Sequence, residues 1–307
     1  MASTSLASRA EMLARVRQFF AERSVMEVDT PLLSHAAPIA THIEIMTIHF
    51  QNGQKGYLHS SPEYAMKRLI AQGSGDIYQL SHVFRDGEIG ERHNPEFTMI
   101  EWYRVGMPYH DLIQETLDLI HLFIPETTIS TYTYAEAFKK FAGIDYRTAS
   151  AQDLQKIAAK HNLSHDPSWD KETFLHFLMG FLIEPQFTGL CILKEYPASQ
   201  AALAQTLFKN GDHIAERFEI YYNGMELANG FHELTDPIEQ RQRFIEDNRE
   251  RARRGKPLLP LDENFLAALE TGLPDCCGVA VGFDRLLMLQ QKKTSINEVL
   301  PFSWELS

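Results

Sequence analysis

The sequence predicts an α/β protein of the α+β type, in which helices flank an antiparallel sheet and a helical insertion interrupts it. Two strand–turn–strand segments, Val83–Val105 and Glu216–Leu234, predict the sheet. Between them, residues 107–185 consist mainly of segments with helical periodicity, which predicts the insertion. The chain has 307 residues and 44% apolar content, which is ample for one large domain with a buried core, or for two.

The first part of the chain is predicted to contain two helices and several short strands. Leu6–Arg23 carries apolar residues close to helical spacing, and Ser24–Thr30 then forms a short strand before Pro31. A second helix spans residues 61–72, because Pro and Glu occupy positions that are favoured in the first turn. Further strands are predicted at Ile43–Phe50, Gly56–Ser60 and Asp76–Phe84.

Val83–Val105 is the most informative stretch, and it reads as a hairpin. A polar loop from Asp86 to Glu96 closes on the turn residues Asn94 and Pro95, and the apolar, aromatic run Phe97–Tyr103 returns as a buried strand. Such a hairpin could bind a nucleotide, because arginines fork onto phosphate oxygens and an aromatic face stacks on a base. The alternative is an ordinary buried hairpin with a solvated charged loop, which the charge pattern alone favours.

The rest of the chain is predicted to be mainly helical, with one strand before the second hairpin and another near the end of the chain. Helices are predicted at Tyr109–Phe123, Tyr134–Phe141, Ala151–His161, Lys171–Leu182, Pro237–Arg254 and Asp262–Thr271. Strands are predicted at Gly189–Tyr196 and from Asp275, where a glycine-interrupted strand runs into a helix over Arg285–Gln290.

The second hairpin carries two carboxylates that could share a cation. Asn223 and Gly224 between alternating runs favour a type I′ turn. That turn sets Tyr221 opposite Glu226, and Glu219 lies on the same face as Tyr221, so Glu219 and Glu226 are diagonal neighbours. Two such carboxylates repel unless a cation lies between them, and Mg²⁺ that bridges phosphates is the oxygen-seeking candidate. The alternative is a solvent-facing sheet surface with scattered carboxylates.

Composition restricts the possible classes of protein. The net charge of −12 argues against a broad electrostatic grip on nucleic acid, although it leaves room for a local basic patch. The three cysteines have neither metal-ligand spacing nor a disulfide framework, which favours a reduced, cytoplasmic setting. No apolar run is long enough to span a bilayer.

The loop and second strand of the first hairpin closely resemble motif 2 of the class II aminoacyl-tRNA synthetases, in their lysyl branch. The match consists of Phe84, Arg85, Arg92, His93, Asn94, Pro95, Glu96, Phe97, Thr98, Glu101 and Tyr103. The sequence departs from the family at Gly87, where the family has a glutamate that contacts the adenine amino group. Glu88 or the loop backbone is expected to take over that contact.

The resemblance extends to motifs 1 and 3. The segment VMEVDTPLLS resembles motif 1, whose proline lies at a dimer interface, so a homodimer is expected. The segment DCCGVAVGFDR resembles motif 3, with Arg285 as the arginine that contacts ATP. Here Ala280 replaces the middle glycine of the family and adds a methyl group at the expected amino-acid pocket. By this resemblance, residues 1–307 form a single catalytic domain.

The resemblance also implies the roles of individual residues. Arg85 and Arg285 are expected to act in catalysis, and ATP is expected to contact Arg85, Asp86, Gly87, Glu88, Arg92, His93, Asn94, Phe97, Glu226, Leu227, Gly282 and Arg285. Lysine or β-lysine is expected to contact Ser61, Pro62, Glu63, Glu101, Tyr103, Asn229, Glu233 and Ala280. Glu219 and Glu226 are expected to hold Mg²⁺ with ATP, and Glu233 the ammonium of the substrate side chain.

Within the lysyl branch, the chain resembles the stand-alone paralogs that attach (R)-β-lysine, or less well α-lysine, to elongation factor P. This expectation rests on the strings SPEYAMKR, HNPEFTMIEWYR and ELANGFHEL, and on the missing anticodon-binding domain before motif 1. tRNA is then an unfavoured acceptor. The alternatives are a truncated lysyl-tRNA synthetase that charges tRNA, a paralog that resembles asparagine synthetase, and a regulatory subunit without catalytic activity.

Overall fold

The computed structural model describes residues 2–307. Residues up to Pro125, together with Glu233–Ser307, form one compact unit, and Glu126–His232 form another. The predicted α+β class is confirmed, because each unit contains mostly antiparallel strands and helices. The organisation as a single catalytic domain stays a prediction.

The N-terminal part of the first unit contains three helices and two small groups of strands. Its elements are α1 (Ala2–Ala21), β1 (Met26–Glu27), β2 (Leu33–Ser34), β3 (Thr47–His49), β4 (Lys55–Leu58), α2 (Glu63–Ala71), β5 (Ile77–Phe84), β6 (Glu96–Val105) and α3 (Tyr109–Ile120). β2, β4 and β3 form a separate antiparallel sheet. The strand predicted at Ser24–Thr30 shrinks to the two residues of β1, which pair in parallel with β5.

The second unit is built around a buried hydrophobic cluster that the helices cover. Its elements are β7 (Ile129–Thr133), α4 (Tyr134–Ala137), α5 (Ala151–Lys160), α6 (Lys171–Leu178), β8 (Leu190–Pro197), β9 (Thr206–Lys209), β10 (Asp212–Tyr222) and β11 (Met225–His232). One π-helical turn, Phe138–Ala142, extends α4, and another, Met179–Ile183, extends α6. Aromatic side chains such as Tyr134, Phe138 and Phe174 are fully enclosed in the cluster.

The predicted insertion at 107–185 is not purely helical. β7 lies inside it and pairs in parallel with β8, Ile129 opposite Leu190. Its sequence, ISTYT, is rich in β-branched and aromatic residues, which suit a strand, but five residues are too few for periodicity to reveal it. β9 was not predicted either; it extends the second hairpin by pairing with the start of β10.

The chain returns to the first unit after β11. The remaining elements are α7 (Pro237–Arg253), α8 (Glu263–Gly272), β12 (Cys276–Gly282) and α9 (Phe283–Gln290). Within this unit the strand order is β1, β5, β6, β12, with antiparallel pairing of β5 to β6 and of β6 to β12. Among residues 2–307, no helix has both the length and the apolar composition needed to cross a membrane.

Candidate functional site

Both predicted hairpins are present, and the second has the predicted register. β5 and β6 pair so that Val83 lies opposite Phe97, and the loop between them carries the predicted arginines. At the second hairpin, Asn223 and Gly224 both have positive φ (47° and 72°), as a type I′ turn requires. Seven of the eight predicted substrate-site residues lie in the first unit, and Asn229 lies in the second together with the two predicted metal-site glutamates.

β6 and β12 place the core of an amino-acid pocket in the first unit. Ala280 lies opposite Glu101, and Gly278 lies opposite Tyr103, so all four residues share one face of the sheet. Glu101 and Tyr103 are almost completely buried. The methyl group of Ala280 is thus placed beside Glu101, where the sequence predicts it.

The Glu101 carboxylate is held by two hydroxyl groups. Tyr103 Oη donates to Glu101 Oε1 at 2.7 Å, and Ser61 Oγ donates to Glu101 Oε2 at 2.8 Å. Ser61 also accepts a hydrogen bond from the backbone N–H of Glu63, which ties the start of α2 to the pocket. Pro62 is the residue that precedes α2, consistent with the predicted helix start.

Two further carboxylates of this pocket share a buried lysine that sequence reasoning missed. Lys67 Nζ lies 2.6 Å from Glu63 Oε1 and 2.5 Å from Glu233 Oε2. Glu63 and Lys67 are four residues apart on α2, a helical ion-pair spacing that could have revealed the contact. Tyr103 donates a hydrogen bond to Glu101. It was expected to contact the substrate ammonium together with Glu101 and Glu233.

The acidity of this pocket is strongly perturbed. Burial, followed by the charge of Glu63, raises the pKa of Glu101 to about 7. Burial also raises the pKa of Glu233, against the attraction of Lys67. Burial alone lowers the pKa of Lys67, but Glu233 and Glu63 outweigh it and hold the ammonium in its charged form.

The loop of the first hairpin brings Arg85, Glu88 and Phe97 together. The Arg85 guanidinium lies over the Phe97 ring, 5.1 Å from its centroid, and Arg85 Nη1 is 3.7 Å from Glu88 Oε1. Arg85 Nε is buried and has no hydrogen-bond partner within residues 2–307. Gly87 adopts φ +75°, a left-handed conformation that suits glycine. Glu88, which is expected to replace the family glutamate, is the carboxylate that pairs with Arg85.

Arg285 meets the same loop from the first turn of α9. Its Nη2 lies 2.8 Å from His93 Nε2, and its Nε donates to the carbonyl of Arg92 at 3.4 Å. Burial and then the charge of Arg285 lower the pKa of His93, so this imidazole is neutral at pH 7. A neutral Nε2 accepts a hydrogen bond from the guanidinium.

Asn94 and Asp284 hold the loop and α9 in place. Asn94 Nδ2 donates to the carbonyl of Glu96, and its Oδ1 accepts from the backbone N–H of Trp304, so the amide is engaged by the protein itself. Asp284 accepts from Arg9 and from the backbone N–H of Thr98. Sequence reasoning missed the role of Asp284, although it directly precedes Arg285. Gly282 ends β12 immediately before α9.

In the second unit, Glu219 is more engaged than the sequence suggests. Its Oε1 accepts from Arg217 at 2.5 Å, and its Oε2 accepts from Tyr196 at 2.5 Å and from Tyr221. Burial opposes ionisation of Glu219, but Arg217 and then Tyr196 hold its pKa below the ordinary value. None of these three neighbours was predicted as a site residue.

Glu226 and Asn229 lie on the same face of the second hairpin as Glu219. Tyr221 is opposite Glu226, as predicted, and Asn229 is opposite Glu219; a β-bulge between them leaves Leu227 without a paired residue. Glu226 is half-buried, whereas Leu227 is buried. Asn229 Oδ1 is buried and has no hydrogen-bond partner within residues 2–307.

The carboxylates of Glu219 and Glu226 fit a Mg²⁺ ion that takes most of its ligands from phosphates and water. Residues 2–307 contain no cluster of three or more His, Cys, Asp or Glu side chains suited to a metal. Mg²⁺ is usually bound through one or two carboxylates plus substrate phosphates, so a dedicated cluster is not required. Glu226 is the more accessible of the two, because three donors already occupy the Glu219 carboxylate.

Comparison with known proteins shows the family of the chain. The sequence model of the family described as tRNA synthetases class II (D, K and N) matches residues 1–305. The chain is 46% identical to an elongation factor P–(R)-β-lysine ligase of Edwardsiella ictaluri (strain 93-146), over 97% of the chain and 94% of the relative. Ligases of the same name from Klebsiella pneumoniae (strain 342) and Haemophilus influenzae (strain PittGG) are 45% and 43% identical, with the same coverage.

Proposed function

The chain belongs to the class II tRNA synthetase family (D, K and N) and is an enzyme of the ligase class, and we propose that it modifies elongation factor P. In this proposal the enzyme activates (R)-β-lysine, or lysine, as an adenylate. It then transfers the aminoacyl group to a lysine ε-amino group of elongation factor P. The names of its relatives support both the amino acid and the protein acceptor.

The buried acidic pocket of the first unit is the observation that carries the amino-acid assignment. Glu63, Glu101 and Glu233 are three carboxylates around a single protein ammonium, Lys67. A pocket with more carboxylates than cations selects a cationic side chain. The ammonium of lysine is compact and has three donors, and each charged hydrogen bond is strengthened where water is excluded.

The arginines of the first unit support the ATP assignment. Arg85 and Arg285 both meet the loop of the first hairpin, and Phe97 offers an aromatic face beside Arg85. Arginine binds phosphate oxygens through two parallel hydrogen bonds, and an adenine can stack on an aromatic ring or a guanidinium. We assign the phosphate contacts to Arg85 and Arg285, and contacts around the nucleotide to Asp86, Gly87, Glu88, Arg92, His93, Asn94, Gly282 and Leu227.

The proposed reaction has two steps. In the first, a carboxylate oxygen of the amino acid attacks the α-phosphorus of ATP, the bond to the β-phosphate breaks, and pyrophosphate leaves. In the second, the ε-amino nitrogen of the acceptor lysine attacks the acyl carbon, AMP leaves, and the nitrogen loses a proton. Arg85 and Arg285 stabilise the charge that develops at phosphorus, and binding aligns the reactants.

We assign Mg²⁺ to Glu226 and Glu219 in the second unit. When bound, the ion would neutralise phosphate charge and orient the oxygens of ATP. Asn229, whose carbonyl oxygen lacks a hydrogen-bond partner within residues 2–307, is assigned to the amino group of the substrate.

A homodimer and a cytoplasmic location complete the proposal. Large apolar side chains are partly exposed in the motif 1 segment, at Met26, Leu32 and Leu33, and in and directly after β3, at Ile48 and Phe50. A group of exposed apolar side chains is typical of a protein–protein interface. Light scattering that gives the mass of one chain would contradict the dimer.

The experiment that tests the proposed function is label transfer. Labelled lysine or (R)-β-lysine is incubated with ATP, Mg²⁺ and the enzyme, and label is followed on purified elongation factor P and, in parallel, on tRNA. We expect label on elongation factor P, with β-lysine preferred, and pyrophosphate release with either amino acid. Label on tRNA alone would replace this proposal with the truncated lysyl-tRNA synthetase, and no adenylate at all would remove it.

A further inference from the structure

The pocket of the first unit contains a lysine that belongs to the protein. The Lys67 side chain has no exposed surface, and its Nζ bridges Glu63 and Glu233. The ammonium also lies 6.0 Å from the ring centroid of Tyr103 and 5.9 Å from that of Phe265. A buried charge is tolerated only when it is paired, so Lys67 and its two carboxylates form one electrostatic unit.

The charges around Lys67 do not balance. Glu63, Glu101 and Glu233 contribute three carboxylates, whereas Lys67 is the cation that faces them. Tyr64, Tyr103 and Cys276 are further titratable groups that interact with these carboxylates. Burial raises the pKa of all three, and all three are neutral at pH 7. The pocket can therefore lack as many as two positive charges.

We propose that Lys67 is a positioning residue of the amino-acid pocket, whose ammonium holds Glu233 in place, opposes its protonation and leaves the pocket short of the one cation that the substrate brings. This inference rests on the proposed function, because it assumes that the substrate side chain carries an ammonium. Lys67 does not contact the reacting atoms; it acts through Glu63 and Glu233.

Loss of Lys67 would change the protonation state in which the pocket binds its substrate. Without the ammonium, Glu63 and Glu233 would face each other in a buried site, and at least one would take up a proton. The substrate ammonium would then have to displace that proton. The KM for lysine should therefore rise at neutral pH and fall again as the pH is raised.

The test measures lysine-dependent pyrophosphate exchange by Lys67→Met between pH 6 and pH 9.5. A positive charge at this distance lowers the pKa of a carboxyl group by about one to three units. Removal of Lys67 should therefore increase the pH at which KM falls by about the same amount. Each unit by which the pKa rises lowers the ionised fraction of the carboxyl group about tenfold. The KM for lysine at pH 7 should therefore rise about tenfold or more. The KM for ATP should stay within about twofold of the wild-type value.

A second variant separates charge from structure. The double variant Lys67→Met/Glu63→Gln removes one cation and one anion, so the net charge of the pocket returns to its original value. We expect the pH at which KM falls to return toward the wild-type value, whereas KM itself stays raised, because Glu63 is a proposed substrate contact and Glu233 has lost an anchor. If Lys67→Met alone does not fold, this double variant still tests whether the charge of Lys67 sets the pH dependence of KM.

Arg251→Met is the matched control. Arg251 is another fully buried cation of the first unit, where it faces Glu44 and donates to the carbonyls of Ala40 and Pro257. Its loss should lower the melting temperature and leave the pH profile of KM for lysine unchanged. A purely structural role of Lys67 would give the same pattern for Lys67→Met.

Three results would contradict the inference. They are a KM for lysine in Lys67→Met that stays near the wild-type value at every pH, a uniform increase without a pH shift, or a double variant whose profile matches Lys67→Met. If the wild-type protein shows no lysine-dependent exchange, the proposed function fails and the inference fails with it. Wild-type exchange with an unaltered Lys67→Met profile overturns the inference alone.

Discussion

Gly278 lies directly against the ring of Tyr103. A Cβ placed on Gly278 would be 2.3 Å from Tyr103 Cε1 and 2.5 Å from Glu233 Oε1. These distances are far below van der Waals contact, so only glycine allows the phenol and the carboxylate to approach the backbone of β12 this closely. The first glycine of the motif 3 segment thus shapes the amino-acid pocket.

Gly278→Ala should therefore damage the pocket. The methyl group would push Tyr103 or Glu233 away, and overpacking of this kind costs about 1–3 kcal/mol of stability. We expect a lower melting temperature and a KM for lysine that rises more than the KM for ATP. Gly282→Ala is the steric control for stability, because its nearest neighbour would be 3.7 Å away. Equal melting temperatures for wild type and Gly278→Ala would contradict the close approach.

Ala280 should influence the choice between the two lysine isomers. Its methyl group lies opposite Glu101 in the sheet, where the family has glycine. Ala280→Gly should raise the activation of α-lysine relative to (R)-β-lysine, because the pocket gains the volume of one methyl group. Pyrophosphate exchange with each isomer measures the ratio. An unchanged ratio would remove the support for a reshaped pocket.

The two predicted metal ligands should respond differently to neutralisation. Glu219 is buried and paired with Arg217, so Glu219→Gln should cost about 3–5 kcal/mol of stability, as expected for a broken buried ion pair. Glu226 is half-buried, and Glu226→Gln should change stability by less than about 1 kcal/mol. Glu226→Gln should instead raise the Mg²⁺ concentration that gives half-maximal exchange. Chemical denaturation and Mg²⁺ titration distinguish these effects, and an unchanged Mg²⁺ requirement would count against Glu226 as a ligand.

The unliganded protein should lose stability as the pH rises toward neutrality. The folded-state pKa of Glu101 is raised to about 7, so between the unfolded value of about 4.3 and about 7 the folded protein binds more protons than the unfolded chain. This contribution to stability is present at low pH and decreases by up to about 1.4 kcal/mol per pH unit until Glu101 has ionised.

Glu101→Gln isolates this contribution. The amide does not ionise, so the melting temperature of the variant relative to wild type should increase between pH 5 and pH 8. Saturating lysine should reduce the loss of melting temperature with pH in the wild-type protein, because the ligand ammonium stabilises the ionised form of Glu101. Parallel pH profiles for wild type and variant would show that Glu101 is ionised throughout this range.

Sequence patterns identified the elements that depend on neighbouring residues. The Asn223–Gly224 turn, the two hairpins, the register of the second hairpin and the long helices all follow from local preferences over a few residues. β7 escaped prediction because its five residues form a strand only through parallel pairing with β8, more than fifty residues further along the chain.

By itself, the sequence determined the fold class, the family and the chemical types of the candidate site residues, because motif spacing and side-chain identity are local properties. The tertiary structure decided how those residues are paired. Lys67 contacts Glu233, and Gly278 contacts Tyr103, only because α2, β6, β12 and the segment that begins at Glu233 meet in one unit. Charge and volume in a pocket are sums over residues that are distant in sequence, and burial amplifies each contribution. The charge balance of this pocket is therefore a property of the packed molecule.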